Sequence, residues 1–233
     1  MLISKYMRFF GVLTTMLLSS VCASAQPDVR DILAKVSALY KSATQYEIVA
    51  ESRSADPTSN AGSGRARFIF QAPNRYRVEG SDSNNSETGA VIIDDGSMIW
   101  LYFPQSNQYN SIPVAALKDD AAGNLRDLRP ESQDESAMSR YRQAESSQES
   151  KYLRDESIAY SGAQTDCYVV SVSKEKGGPA HTWWIEKETY RVLRDDDSEA
   201  SVVFAEVKLG GPISQDQFKF APPEGAHKVE FQQ

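Results

Sequence analysis

The stretch "VIIDDGSMIWLYFPQSNQY", residues 91–109, contains two apolar runs joined by the dipeptide Asp95-Gly96. Asp-Gly is typical of tight hairpin turns because glycine adopts a positive φ at no steric cost. The stretch therefore predicts two antiparallel strands. The second run, Ile99 to Phe103, holds five consecutive large apolar or aromatic residues. A strand with one solvent-exposed face would instead alternate apolar and polar residues. Both faces of this second strand are therefore predicted to be covered.

Similar strand signals occur on both sides of this hairpin, separated by short turns. The segments before it are "YEIVAESR", "GRARFIFQ" and "RYRVEG", and those after it are "QYNSI", "YLRDESIAY", "DCYVVSVS", "HTWWIE", "RVLRDD", "ASVVFAEVKL" and a short pair in "FKFAPPEGAHKVEF". A helix precedes them, because Asp28 can cap a run that is apolar at helical spacing. Consecutive strands with short turns predict an α+β fold built on one curved antiparallel sheet of about 11 strands.

The first 25 residues have the pattern of a secretory signal peptide. Two cations precede an apolar run at residues 9–20, and Ala23-Ser24-Ala25 is a small-x-small cleavage site. We therefore predict export with cleavage after Ala25, which leaves residues 26–233 as a single domain. Cys22 leaves lipidation as an alternative.

Charge and cysteine content narrow the possible partners. The whole chain carries a formal charge of −7, and loss of Lys5 and Arg8 with the signal peptide makes the domain two units more negative. Such a chain is not expected to bind nucleic acid or anionic lipid surfaces through a general field. Cys167 would be the one cysteine left, and its strand context predicts a small buried side chain.

The middle of the chain differs from the rest. Residues 115–150 are rich in Ala, Glu, Gln, Ser and Arg, and Pro130 divides them into two segments with thin apolar edges. We expect either loosely docked lid helices or partial disorder here.

No motif for catalysis is recognisable in the sequence. His181 and His227 lack metal-ligand spacing, and His181 is expected to be a satisfied or surface histidine of a strand. The acidic run Asp195 to Glu199 lacks the glycine of a calcium loop and is interpreted as a solvated turn. We therefore predict no enzyme activity, no catalytic residue, no metal and no cofactor.

Apolar residues on both faces of several strands indicate a binding role. A sheet curled into a partial barrel uses one face for its core and can leave an apolar hollow on the other. A fully packed core without ligand space is the alternative. Without a means to choose the inward face, we take as candidate lining residues Phe68, Phe70, Tyr76, Trp100, Tyr102, Trp183 and Ile185.

Four segments, in order, resemble the family of periplasmic outer-membrane lipoprotein carriers, the LolA-like proteins. They are "RARFIFQAPNRYRVE", "VIIDDGSMIWLYFPQSNQY", "WWIEKETYRVLRD" and "DQFKFAPPEGAHKV". The resemblance implies an unclosed antiparallel β-barrel with an N-terminal helix and lid helices over an apolar cavity. It also implies a monomeric periplasmic protein that shields the acyl chains of lipoproteins or other lipids. An inner-membrane lipoprotein-releasing transporter and an outer-membrane acceptor are its implied partners.

One departure from the family concerns the lid. Family members carry a basic latch residue before the Pro-Asn turn, where this chain has Ala72. We therefore expect either that Arg75 or Arg77 contacts the lid, with Leu117 as the lid's own contact, or that the chain has no latch. Related folds also serve as envelope-stress sensors or protein-binding envelope modules, so those roles remain the alternative to a carrier.

Overall fold

The structure, a computed structural model, describes residues 26–56, 58, 63–82, 89–118 and 138–230. The helices are α1 (Val29–Ser42) and α2 (Ser139–Arg142). The strands are β1 (Gln45–Ser54), β2 (Gly64–Gln71), β3 (Arg75–Asp82), β4 (Ala90–Asp94), β5 (Met98–Phe103), β6 (Gln108–Pro113), β7 (Glu149–Tyr160), β8 (Ala163–Ser173), β9 (Ala180–Glu186), β10 (Val192–Asp196), β11 (Ala200–Leu209) and β12 (His227–Lys228). Short 3-10 turns cover Pro104–Ser106, Val114–Lys118, Ala144–Ser146 and Gln215–Phe218.

The 12 strands of the described residues belong to one sheet, in the order β12-β6-β5-β4-β3-β2-β1-β11-β10-β9-β8-β7. Neighbours pair antiparallel, except β12, which pairs parallel with β6 through two residues. The two ends of the sheet, β12 and β7, do not pair with each other, so the curved sheet is unclosed. This confirms the predicted α+β fold with an open antiparallel barrel.

Helix α1 begins where the sequence predicts. The Asp28 carboxylate accepts a hydrogen bond from the Arg30 amide at 2.8 Å, which satisfies one of the free N–H groups of the first turn. Its buried stripe consists of Ile32, Leu33, Val36, Ser37 and Tyr40. This stripe packs on the sheet and forms the main core with side chains of β1 and β8 to β11.

The register of the strands defines two faces. Ile48, which packs against the core under α1, pairs with Phe68, and the same row continues through Val78, Ile92 and Leu101; we call this the inner face. The neighbouring row runs through Glu47, Ile69, Arg77, Ile93 and Trp100 and marks the outer face.

The C-terminal tail differs from the prediction. "FKF" was expected to be a strand, but the structure forms a 3-10 turn over Gln215–Phe218. The Ser214 hydroxyl accepts a hydrogen bond from the Asp216 amide at 3.3 Å, which caps a turn and competes with strand pairing. The turn buries Phe218, and only the two residues of β12 remain from the predicted last strand.

The acidic run is also different. Asp195 and Asp196 belong to β10, and Asp195 is only 3% exposed, so the solvated-turn interpretation is wrong for this part of the run. The turn itself begins at Asp197, whose carboxylate accepts hydrogen bonds from the amides of Glu199 and Ala200 at 2.8 Å.

The predicted signal peptide and most of the predicted lid segment lie outside the described residues, as does the side chain of Leu117. In the described part of the segment, α2 packs beside α1. The rings of Tyr40 and Tyr141 are 5.2 Å apart, and the Ser37 hydroxyl donates to the carbonyl of Arg142.

Candidate functional site

A hollow of about 490 Å³ lies on the inner face, where β1, β2 and β3 meet β11 and the start of α2. The apolar residues of its wall are Tyr46, Ile48, Ala50, Ala66, Phe68, Ile69, Phe70, Tyr76, Val78, Met138, Val202 and Phe204. Pockets that bind small apolar ligands have volumes of about 300–1,000 Å³ and are lined mainly by such residues. The hollow therefore has the size and chemistry of a binding site for an apolar ligand.

The aromatic part of the wall follows from alternation along two strands. Phe68 and Phe70 lie two residues apart on β2, so both point to the inner face. Phe70 stacks on Tyr46 with ring centroids 5.2 Å apart, and it pairs across the ladder with Tyr76. Aromatic rings supply large rigid contact areas with few rotamers to freeze on binding.

A buried polar cluster forms one end of the hollow. The Asp195 carboxylate accepts the hydroxyl of Tyr141 at 2.7 Å, Nδ1–H of His181 at 2.8 Å and Nη1–H of Arg140 at 3.0 Å. Because Tyr141 and Arg140 belong to α2 and Asp195 to β10, the cluster fastens the helix to the sheet. The carboxylate is paired and hydrogen-bonded, as a buried charge must be.

The pKa values of the cluster follow from these contacts. Burial raises the pKa of Asp195, but the hydrogen bonds from His181 and Tyr141 and the nearby positive charges outweigh it, so the pKa lies below its usual 3.8. Burial and the adjacent Asp195 carboxylate raise the pKa of Tyr141 well above 10. Tyr141 therefore stays protonated and Asp195 ionised at neutral pH.

The contacts of His181 determine its tautomer. Nδ1 lies 2.8 Å from Asp195 and 3.3 Å from Nη1 of Arg140. A carboxylate can only accept and a guanidinium can only donate, so the shorter contact places the proton on Nδ1. The ring then directs Nε2 away from Asp195.

The structure separates the candidate lining residues into three groups. Phe68, Phe70 and Tyr76 line the hollow. Trp183 and Ile185 are also on the inner face, but they are 2% and 0% exposed in the core with α1.

Trp100 and Tyr102 form the third group and lie on the outer face. There the ring of Phe220, from the C-terminal tail, stacks on Trp100 at 5.2 Å and contacts Tyr102 at 5.8 Å and Tyr109 at 5.5 Å. Their role in this structure is to hold the tail against the sheet.

The two arginines expected near the lid contact the tail as well. Arg75 donates a hydrogen bond to the side chain of Gln215, and its guanidinium lies 5.8 Å from the ring centre of Phe218. Arg77 donates to Glu79 at 2.6 Å and to the carbonyl of Gln217 at 3.3 Å. Their expected contact with the lid stays a prediction.

Sequence reasoning missed two parts of the site. Val202 and Phe204 come from a strand about 130 residues after β2, and only the β1–β11 pairing brings them to the hollow. Asp195 was missed because it sits in an acidic run; the alternation of "RVLRDD" was the available signal, since Asp195 shares its face with Trp183 across the ladder.

Several further features of the described residues bear on chemistry. Cys167 on β8 is fully buried, as predicted, and burial raises the pKa of its thiol to about 12. No group of three or more His, Cys, Asp or Glu residues in the described ranges could hold a metal ion. No helix among them is long and apolar enough to cross a membrane.

Sequence comparison gives one distant relative. No family model matches the chain. An uncharacterized protein of Methanocaldococcus jannaschii is 24% identical over 166 residues, which are 69% of this chain and 42% of that protein. The chain thus matches less than half the length of this relative.

Several solved structures are similar at low identity. Lipoprotein LppX of Mycobacterium tuberculosis is 12% identical with a TM-score of 0.49, covering 81% of this chain and 100% of that one. MucB of Pseudomonas aeruginosa, in complex with MucA, is 12% identical with a TM-score of 0.47, covering 84% and 62%. A LolA superfamily protein of Nitrosomonas europaea is 13% identical with a TM-score of 0.34, covering 84% and 99%. At these identities and TM-scores, the similarity concerns the fold alone.

Proposed function

We propose that this protein is a carrier that shields acyl chains of lipids or lipoproteins in the inner-face hollow. The observation that carries the proposal is the hollow itself, to whose wall β1, β2, β3, β11 and the start of α2 contribute apolar side chains. Each buried methylene contributes about 0.8 kcal/mol, so one long acyl chain gains on the order of 10 kcal/mol by leaving water. A soluble carrier must offer an apolar volume to offset that cost, and the hollow is such a volume.

The proposal includes a place in the cell and a non-enzymatic role. It assigns the protein to the periplasm after cleavage at Ala25, between an inner-membrane lipoprotein-releasing transporter and an outer-membrane acceptor. Fractionation followed by intact mass measurement tests the first part. We expect a periplasmic species with the mass of residues 26–233. A periplasmic species with the mass of the full-length chain would contradict the predicted cleavage.

Two adjacent valines allow a direct test of the hollow. Val202 lines it, whereas Val203 faces the opposite side of β11 and is 38% exposed. Val202→Trp should fill the hollow, lower the affinity for a fluorescent acyl-chain probe at least tenfold and reduce the lipid that native mass spectrometry finds on the purified protein. Val203→Trp adds the same volume outside and should leave both readouts unchanged. Equal probe binding by the two folded variants would refute the carrier proposal.

A protein-binding module is the second candidate, and one feature favours it. Strand β7 is a 12-residue edge of the sheet, with Leu153 39% exposed. An added strand from a partner could pair with such an edge. Lys151, Arg154 and Glu156 on the same strand are the kind of charged residues that protect edges from pairing. The carrier is therefore the better-supported function.

A further inference from the structure

A second cavity, with mostly polar residues in its lining, lies beside the hollow. It measures about 260 Å³ and is lined by Ser139, Arg140, Gln143, Lys174, His181 and Trp183, among others. Met138 and Tyr141 of the same short segment face the hollow, while Ser139 and Gln143 face this cavity. Arg140 borders both. The start of α2 thus stands between an apolar hollow and a polar pocket that share one guanidinium.

One cation of the pocket, Lys174, has no carboxylate within salt-bridge distance among the described residues. A second carboxylate, that of Asp197, lies 4.0 Å from Nδ1 of His181. Arg140 pairs with Asp195, but its described hydrogen bonds use Nη1 alone, and a guanidinium has five N–H donors. Asp195 already accepts three hydrogen bonds, so its negative charge is engaged.

His181 presents a further polar group to the pocket. Its Nδ1–H is held by Asp195, and Nε2, on the side away from that carboxylate, has no hydrogen-bond partner among the described residues. With the proton on Nδ1, Nε2 can accept a hydrogen bond from a hydroxyl group of a ligand. The pocket therefore combines Lys174, an ion-paired Arg140 with further N–H donors and an oriented imidazole, in a chain whose overall charge is −7.

We propose that this pocket binds the anionic headgroup of an amphiphile, a phosphate or carboxylate, while the acyl chain lies in the adjoining hollow. The inference rests on the proposed function and names its ligand class. Arg140 lines both cavities, so it lies where the headgroup of such a ligand would join its acyl chain. Arg and Lys bind phosphate and carboxylate oxygens through charge-assisted hydrogen bonds, which are about twice as strong as neutral ones.

Two lysophospholipids with the same acyl chain test the headgroup. The mature protein, stripped of lipid, is titrated with lysophosphatidylglycerol or with lysophosphatidylcholine below their micelle concentrations, and displacement of an acyl-chain probe is measured. We expect the anionic lipid to bind about tenfold more tightly, the factor that corresponds to 1.4 kcal/mol. Lys174→Gln should reduce this preference several-fold, because it weakens binding of the anionic lipid more than that of the zwitterionic lipid, whose phosphate is offset by its own choline cation. Lys228→Gln, the same change of charge on β12, should leave the preference intact.

Three outcomes would overturn the inference, and they are distinguishable. Equal affinity for the two lipids, with no effect of Lys174→Gln, would refute the headgroup site but leave the carrier proposal standing. Failure of both lipids to displace the probe removes the carrier and the headgroup site together. Binding of inorganic phosphate as tightly as of the anionic lipid, measured by calorimetry without lipid, makes the pocket a site for a free anion.

Discussion

The hydroxyl of Tyr141 donates a 2.7 Å hydrogen bond to the carboxylate of Asp195, and both side chains are buried. Tyr141→Phe leaves the carboxylate, which is only 3% exposed, with one donor fewer. We expect it to lower the free energy of unfolding by about 1–3 kcal/mol in urea titrations. Tyr152→Phe is the matched control, since that hydroxyl donates to Asp155 at 2.8 Å on the surface. Its cost should stay within about 0.5 kcal/mol, and equal costs for both variants would contradict the argument.

The same carboxylate predicts a dependence of stability on pH. Because the folded-state pKa of Asp195 lies below 3.8, the folded protein binds this proton more weakly than the unfolded chain does. Its stabilising effect is complete above the unfolded pKa and is lost as pH falls through the lower, folded pKa. Wild type should therefore lose its stability advantage over Asp195→Asn as pH falls from 6 toward 2. A gap between the two proteins that is constant over that range would show that Asp195 is not stabilised as an ion.

Gly80 offers a way to narrow the hollow without damaging the fold. A Cβ built at this inner-face position meets no atom within 4 Å, and Gly80 lines the hollow. Gly80→Val should raise the free energy of unfolding by up to about 1 kcal/mol, because glycine is a poor strand residue, and should weaken acyl-probe binding. Gly162 also has open space, but its φ is +81°. Gly162→Val should therefore destabilise the protein and leave probe affinity unchanged; a stability gain at both sites would mean that backbone conformation is not the deciding factor.

Removing a ring from the aromatic cluster on the outer face should loosen the C-terminal tail and leave the hollow unchanged. Phe220→Ala removes the ring that contacts Trp100, and we expect a loss of about 1–2 kcal/mol of stability. The amide of Val229, which donates to the carbonyl of Tyr109 at 2.9 Å, should then exchange hydrogen faster. Acyl-probe affinity should not change, because the cluster is on the other side of the sheet. Loss of probe binding in a stable Phe220→Ala protein would place the cluster in the ligand site instead.

Local sequence signals predicted the strands and turns well. The Asp95-Gly96 turn forms as expected, with Gly96 at φ +96° and the Asp95 carboxylate accepting from the amides of Ser97 and Met98 at 2.8 Å. Strand β2 has the predicted bounds, because its alternation and its flanking turns are local features. These signals need no knowledge of distant parts of the chain.

The choice of inward face could not be predicted from such signals. Alternation on β5 shows that Trp100 and Leu101 point to opposite sides, but not which side is concave. Both faces of β5 are covered in the structure. The ring that covers Trp100 belongs to Phe220, more than a hundred residues away in the sequence. The burial of Trp183, which is 2% exposed and packs against Tyr141 of α2, is likewise beyond such signals, since periodicity does not say how far the helices extend over a sheet.

The unpaired ends of the sheet, β12 and β7, determine how the hollow can adapt. In a closed barrel the number of strands and their stagger fix the radius, so the interior can widen only if ladder hydrogen bonds break. This sheet has no such closure condition. Its curvature can relax or tighten by small changes of twist at each strand pair while every ladder bond is kept. The width of the hollow is then determined by the bending stiffness of the sheet and by the size of any molecule bound in it, rather than by a fixed circumference.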